Sequence, residues 1–251
     1  LAALAEVKEE ELLKLWEGLG YYNRVKNMQK AARLIMEQYQ GEFPKDYQTL
    51  LTLPGIGSYT AGAIASIAYG LSEPAVDGNV LRVLARVRMD YTDIAEPAVK
   101  KRVEEELRGV MPKGKAGAFN QALMELGAIV CVPNGVPKCE ECPLSAICLA
   151  CMQEKQADLP VKKAKKARAI EDKTVFLIID GDSTLIRKRG QGLLAGLYEF
   201  PNVDGKLSAK EAVQYVEDMG FIPLRIEKLP KRKHIFTHRE WHMTGYAVRV
   251  G

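Results

Sequence analysis

No run of apolar residues among the 251 positions approaches the roughly 18–20 needed for a membrane-spanning helix, so none is expected. The opening Leu1-Ala2-Ala3-Leu4-Ala5 lacks the basic region, sustained apolar core and cleavage site of a secretory signal peptide. An initiator methionine is lacking too, and Arg249-Val250-Gly251 falls within a strand pattern, so the chain reads as a fragment. Cysteine is absent outside one window: Cys131, Cys139, Cys142, Cys148 and Cys151 share 21 consecutive residues. An odd number crowded into so short a stretch argues against a disulfide framework and for a bound metal. With 47% hydrophobic and 27% charged residues, neither a wholly disordered nor a collagen-like chain fits. What is present suits one or two globular domains. The net charge of +4 is a mild hint of an anionic partner, shared by many proteins without one.

Residues 1–153 show helical periodicity and no strand alternation. Leu12, Leu13, Leu15 and Trp16 form one apolar face, ended by Gly18 and Gly20. Val25, Met28, Ala32, Ile35, Met36 and Tyr39 make the core stripe of a second helix over about 24–39. Two more helical patterns flank Leu53-Pro54-Gly55-Ile56-Gly57, and others cover about 79–89, 96–110 and 117–130. Residues 154–172 include the basic run Lys162-Lys163-Ala164-Lys165-Lys166-Ala167-Arg168, read as a connector, either merely solvated or tracking phosphates. From residue 173 the period changes to two: strands at 174–179 and 183–188, a helix at about 208–219, then strands near 222–229 and 241–250.

Three motifs carry chemistry. Leu53-Pro54-Gly55-Ile56-Gly57-Ser58-Tyr59-Thr60-Ala61-Gly62 joins two helical segments by a tight turn. Its glycines allow close backbone approach, and Ser58 is expected to cap the second helix; such a hairpin grips a DNA phosphate through main-chain N–H groups without reading sequence. It could also be a plain helix corner. Pro74-Ala75-Val76-Asp77-Gly78-Asn79-Val80 places Asp77 at a helix start, where it serves as an N-cap, as a carboxylate facing a cationic sugar, or as both. Cys131, Cys139, Cys142 and Cys148 suit either an iron–sulfur cluster or a structural zinc; only one Cys-x2-Cys pair is present, which favours [4Fe–4S]. Cys151 is a spare thiol or a substitute for Cys148.

The order of hairpin, Val-Asp-Gly-Asn-Val and cysteine loop resembles the endonuclease III superfamily of DNA glycosylases. Gly18-Leu19-Gly20-Tyr21-Tyr22-Asn23-Arg24-Val25 and Gly192-Leu193-Leu194-Ala195-Gly196-Leu197-Tyr198-Glu199-Phe200-Pro201 narrow it to the A/G-specific adenine DNA glycosylases of the MutY type. The resemblance covers essentially the whole chain. It implies a multidomain protein: an all-α helix-hairpin-helix glycosylase domain over residues 1–153 with a [4Fe–4S] loop at 131–148, a basic linker over 154–172, and an α+β Nudix-like domain over 173–251, cut off at its end.

The implied activity is removal of adenine mispaired with 8-oxoguanine or guanine, the adenine being flipped out of the stack. The implied partner is double-stranded DNA, with no membrane, for a monomeric cytoplasmic enzyme of bacterial type. The family aspartate maps onto Asp77, with Asn79 lining the same site. Tyr59 falls where bifunctional relatives carry a lysine, and a phenol forms no Schiff base, so a monofunctional enzyme is expected. Leu53, Gly55, Gly57, Ser58 and Arg24 are expected at DNA, with Tyr22, or failing it Tyr21, as the aromatic wedge beside 8-oxoguanine. The cluster ligands implied are Cys131, Cys139, Cys142 and Cys148.

This sequence departs from the family twice. The family's catalytic glutamate sits in a helix with a Leu-Gln-Gln-Thr motif, which residues 1–251 do not contain; Glu6, Glu9, Glu10 and Glu11 match nothing catalytic. The expectation is a chain lacking its general acid and inactive alone. The seven-residue first cysteine spacing, more often six, points to an insertion at Asn134-Gly135. In the C-terminal region, Val213-Gln214 replaces the Arg-Glu pair that a working Nudix helix needs for magnesium, so a binding module is expected. There the loop His234-Ile235-Phe236-Thr237-His238 corresponds to the family's Phe-Ser-His motif, making Phe236, Thr237 and His238 the candidates for 8-oxoguanine recognition. Two other classes stay open: an endonuclease III-like glycosylase with lyase activity, which needs a lysine at position 59, and a non-catalytic iron–sulfur DNA-binding protein.

Overall fold

The computed structural model describes residues 1–163 and 167–251. Ala164, Lys165 and Lys166, at the centre of the basic run, lie outside the described residues. The chain divides into two compact units. One holds Leu1–Lys8 and the chain from Leu19 to the connector; the other holds Glu9–Gly18 and the chain after the connector. Thus α1 (Ala2–Glu6) belongs to the first unit and α2 (Glu9–Leu15) to the second.

The rest of the first unit is helical. In α3 (Tyr22–Gln38), Val25, Ala32 and Ile35 are buried on one face. Gln29 is buried with them because its amide donates to the carbonyls of Leu4 and Val7, which fastens the end of α1 to α3. The helix α4 (Tyr47–Thr52) starts at Asp46, whose carboxylate accepts from the Thr49 amide at 2.7 Å. Next come α5 (Ser58–Ala63), continued as a wider turn over Ile64–Ala68, α6 (Gly78–Arg88) and α7 (Pro97–Val110) with proline in its first turn. Last are α8 (Ala116–Glu125), continued as a wider turn over Leu126–Val130, and the short α9 (Leu149–Met152). Ile35, Leu50, Leu53, Ala61 and Ala65 form one core around the hairpin. Val76, Val80, Val83, Leu84, Val99, Val103 and Leu107 form another around α6 and α7.

The second unit is built on a mixed sheet of β1 (Ala169–Asp180), β2 (Ser183–Thr184), β5 (Asn202–Asp204), β6 (Pro223–Ile235) and β7 (Arg239–Val250); β3 (Arg187–Lys188) and β4 (Tyr198–Glu199) pair separately. Strand order is β2-β1-β7-β6, with β1 parallel to β7 and β6 antiparallel to it. The helix α10 (Ala209–Asp218) opens with a capping box between Ser208 and Glu211. It buries Ala212 and Val216 against Phe176, Ile178, Tyr246 and Val248.

Three boundaries differ from the sequence reading. β1 begins at Ala169, inside the stretch read as connector, because Ala169 to Asp172 pair with Arg239 to His242; a partner so distant leaves no local signal in a polar segment. The single return strand at 183–188 is two short strands with different partners, β1 and β4. The loop read at 234–238 is shorter, since His234 and Ile235 pair with Trp241 and Glu240 and only Phe236 to His238 turn.

Candidate functional site

The turn between α4 and α5 is built as its glycines suggest. Gly55 has φ +80°, and a Cβ there would come within 2.8 Å of the Asn27 side chain. Gly57 is the extended residue before α5, so Ser58 is the first helical residue and makes no cap hydrogen bond. That corrects the cap expected of Ser58: the chain enters the helix one residue early. Gly55 and Gly57 are exposed, whereas Leu53 is buried in the hairpin core and anchors the turn from within. Tyr59 is partly exposed, and its hydroxyl meets the Met124 sulfur at 3.5 Å on α8. At the start of α3, Tyr21 is 77% exposed with φ +48°, while Tyr22 is half-buried; Arg24 is exposed.

The hairpin is clamped to the segment that carries Asp77. A Cβ on Gly62 would lie 2.0 Å from the Pro74 carbonyl oxygen, so only glycine allows this contact. Asn120, fully buried on α8, accepts from the Ala75 amide at 3.1 Å and donates to the Glu73 carbonyl at 2.9 Å and the Ser66 hydroxyl at 2.7 Å. Asp77 then caps α6: its Oδ1 accepts from the amides of Asn79 (2.8 Å) and Val80 (2.9 Å), and its Oδ2 accepts from the Asn79 side-chain amide (2.9 Å). Oδ1 is thereby filled, while Oδ2 keeps one acceptor direction free. Asp77 and Asn79 are half-buried, so this oxygen sits at the edge of the fold rather than sealed within it.

Two buried arginines one turn apart on α6 continue the network. Arg82 donates to the Asn79 amide oxygen (2.8 Å), the Gly127 carbonyl (2.6 Å) and the Cys131 carbonyl (2.8 Å). Burial pulls its guanidinium below the usual value, as does neighbouring Arg86, while Cys131 and Asp77 oppose the shift. Arg86 donates to the carbonyls of Gln156, Leu159 and Val132 and to the Cys131 sulfur at 3.2 Å. Neither arginine stood out in the sequence, where an i, i+4 pair of cations resembles a solvated face. The available signal was their position among Val80, Leu81, Val83, Leu84 and Ala85, all buried.

The cysteine loop folds against α6. Among the described residues, no three His, Cys, Asp or Glu groups gather tightly enough to hold a single metal ion. Cys131, Cys139, Cys148 and Cys151 are nonetheless neighbours: burial raises Cys139 and Cys148, and their surroundings include Cys151 and Cys131 respectively. Gln156 donates to the Cys139 sulfur at 3.6 Å, as Arg86 does to Cys131. Donors aimed at sulfur offset thiolate charge, which suits a set of thiolates spread around a polynuclear centre.

In the second unit, Phe236 is half-buried, edge-on to Trp241 (ring centroids 4.8 Å) and His234 (4.4 Å). Its amide donates to the Arg239 carbonyl at 2.9 Å and closes the β6–β7 turn, leaving Thr237 and His238 exposed at the tip. On α10, Gln214 bonds to Asp218 at 3.0 Å.

Comparisons with known proteins agree with both units. Residues 1–112 match the family described as HhH-GPD superfamily base excision DNA repair protein, and residues 174–251 match the NUDIX domain. Adenine DNA glycosylase of Buchnera aphidicola subsp. Schizaphis graminum is 32% identical over 256 residues, covering 100% of this chain and 70% of that protein. Adenine DNA glycosylase of Mus musculus is 32% identical over 301 residues, covering 100% of this chain and 58% of that protein. A solved structure of a non-covalent endonuclease III–DNA complex superposes with a TM-score of 0.53 at 30% identity, covering 61% of this chain and 70% of that one. With a helical hairpin unit, a mixed-sheet unit and this identity along its entire length, the chain belongs to the adenine DNA glycosylase family.

Proposed function

We propose that the chain binds duplex DNA and that its Asp77 serves the hydrolysis of the N-glycosidic bond of adenine mispaired with 8-oxoguanine or guanine. The carrying observation is the Asp77 carboxylate, held by three hydrogen bonds with one acceptor direction of Oδ2 left open. A base in the duplex is out of reach, so adenine is flipped. As its bond to the sugar breaks, positive charge develops on the ring, and a fixed carboxylate stabilises it without having to reorganise. Asn79 holds that carboxylate and is itself held by Arg82. Tyr59 cannot form a Schiff base, so release ends at an abasic site.

The main chain at exposed Gly55 and Gly57 and half-buried Ser58 meets a phosphate, with Leu53 fixing the turn from below. Arg24 and one of Tyr21 and Tyr22 approach the duplex at the start of α3, and Phe236, Thr237 and His238 meet the base opposite adenine. The resemblance of the cysteine loop to that of the endonuclease III superfamily implies an iron–sulfur cluster. Cys131, Cys139, Cys142 and Cys148 would hold a [4Fe–4S] cluster here, and it would supply rigidity to the loop that Arg82 and Arg86 grip. No residue of the chain is assigned to protonating the leaving adenine; that role falls to the glutamate in the family's Leu-Gln-Gln-Thr helix.

The test is adenine release from A:8-oxoguanine, A:G and A:T duplexes by the chain joined to that segment. Release from the first two, with an unbroken strand until alkali is added, supports the reading. Equal release from A:T, or strand cleavage through a Schiff base trapped by borohydride, contradicts it.

A further inference from the structure

The cations of the second unit fall into two populations. Away from β6, most are paired: Lys173 with Asp204, Arg187 and Arg189 with Glu199, Lys206 with Asp172, Arg239 with Glu171. On β6, Arg225, Lys228, Lys231, Arg232 and Lys233 are all exposed, and none forms an ion pair with a described carboxylate. Glu227 is the one acidic residue in that 13-residue strand. Arg225 also lies opposite Arg249 in the ladder, a like-charge pair that disfavours the sheet unless something anionic sits against it.

Edge strands are often blunted by lysine, proline and bulges, and β6 has all three: it is the sheet edge, it contains Pro230, and its register shifts between Leu229 and Arg232. Blunting accounts for exposed lysines on an edge, but not for a recess that the same cations line together. Lys231, Arg232 and Lys233 line, with Lys206, a recess of about 310 Å³ backed by His242 and Thr244, roomy enough for a phosphate group. Side chains of a strand alternate faces, so neighbouring cations on one face of β6 stand roughly 6.6 Å apart and can meet separate anionic groups. Finally, β6 runs directly into the Phe236–His238 turn.

We infer that the exposed edge of β6, centred on Lys231, Arg232 and Lys233, is a phosphate-tracking surface for the backbone of duplex DNA, beside the turn that meets the base. This deepens the DNA-binding reading above and rests on it. Phosphate contacts position a protein without reading sequence, so this edge would seat the turn on any duplex and leave discrimination to the turn.

The test is binding of the full chain to short duplexes carrying A:8-oxoguanine, A:G or A:T, as a function of salt. The triple variant Lys231→Gln, Arg232→Gln, Lys233→Gln should lower the log–log salt slope by roughly 0.9 for every phosphate no longer neutralised and weaken all three duplexes by about the same factor. Lys228→Gln alone should give a smaller version of the same change, and Lys210→Gln, an exposed cation on α10, should change nothing. Because the edge side chains are exposed and unpaired, thermal melting should stay at the wild-type value. An unchanged salt slope in both β6 variants overturns the inference, and aggregation with that unchanged slope would assign the charges to edge protection. Absence of duplex binding by the unsubstituted chain would instead defeat the DNA-binding reading itself.

Discussion

Arg82 donates to the amide oxygen of Asn79 at 2.8 Å, and the same guanidinium reaches the carbonyl of Cys131 at 2.8 Å. The residue that orients Asp77 is thus tied through one buried side chain to the first residue of the cysteine loop. Arg82→Met should leave the carbonyls of Gly127 and Cys131 unpaired and cost about 3 kcal/mol of stability, read from thermal or denaturant unfolding. Arg82→Lys retains the charge but not the fork, so it should lie between Met and wild type. Unfolding unaltered by Arg82→Met would show that the network has no structural weight.

Gly62→Ala should be more damaging than any other glycine-to-alanine change in the hairpin. Its Cβ would meet backbone, the Pro74 oxygen at 2.0 Å, which cannot rotate away. A loss on the order of 3 kcal/mol is expected, with displacement of the segment leading to Asp77. Gly57→Ala, with nothing within 4 Å, should be mild by comparison. Equal melting temperatures for the two variants would contradict this packing.

The Asp46 carboxyl is held below its ordinary value by the Thr49 hydroxyl first and the Thr49 amide second. A lowered value in the fold means the cap contributes fully above the unfolded value of 3.8 and is lost as pH falls through the lower folded value. Asp46→Ala should therefore lower the melting temperature at pH 7, and the gap from wild type should begin to narrow near pH 3.8 and close only below the lower folded value. A gap that persists at lower pH would show that the carboxylate charge is not what caps α4.

Iron content separates the thiols. Cys148 is buried and Cys151 is not. Purified anaerobically, the protein should hold about four irons per chain, Cys151→Ser should keep them, and Cys148→Ser should lose them. Stoichiometric zinc without iron would contradict the cluster.

Thr237→Ala should reduce the preference for 8-oxoguanine over guanine by about 1 kcal/mol, one hydrogen bond, measured by competition binding. The hydroxyl is exposed at the turn tip, while Phe236 is engaged with Trp241. An unchanged preference would mean the turn does not read the base.

Local chemistry was largely legible in the sequence where the cause is local. Asp77 two and three residues before the amides it caps, and the glycines of the tight turn at Gly55 and Gly57, follow from spacing alone. What distance creates was not. Arg82 and Arg86 look like surface charges until residues 127–159 fold over them and supply carbonyls. The start of β1 at Ala169 depends on Arg239, far along the chain. One local expectation also failed: Ser58 misses its cap because the helix begins one residue earlier than the serine suggests. Leu53 belongs to the hairpin motif read as gripping a DNA phosphate, yet its own side chain is core.

The most direct test of the account is Asp77→Asn. Asparagine caps as well as aspartate, so α6 should keep its start, at the modest cost of the Asn79 side-chain hydrogen bond that an amide nitrogen cannot accept, while the charge proposed to face the sugar is gone. Single-turnover adenine release from an A:8-oxoguanine duplex is the readout, in residues 1–251 joined to the family's Leu-Gln-Gln-Thr segment. The account predicts a fall of roughly 10²–10³-fold or more in the variant, and negligible release by residues 1–251 without that segment. Undiminished release by Asp77→Asn would contradict the role given to Asp77, and rapid release by residues 1–251 alone would place the proton donor within this chain.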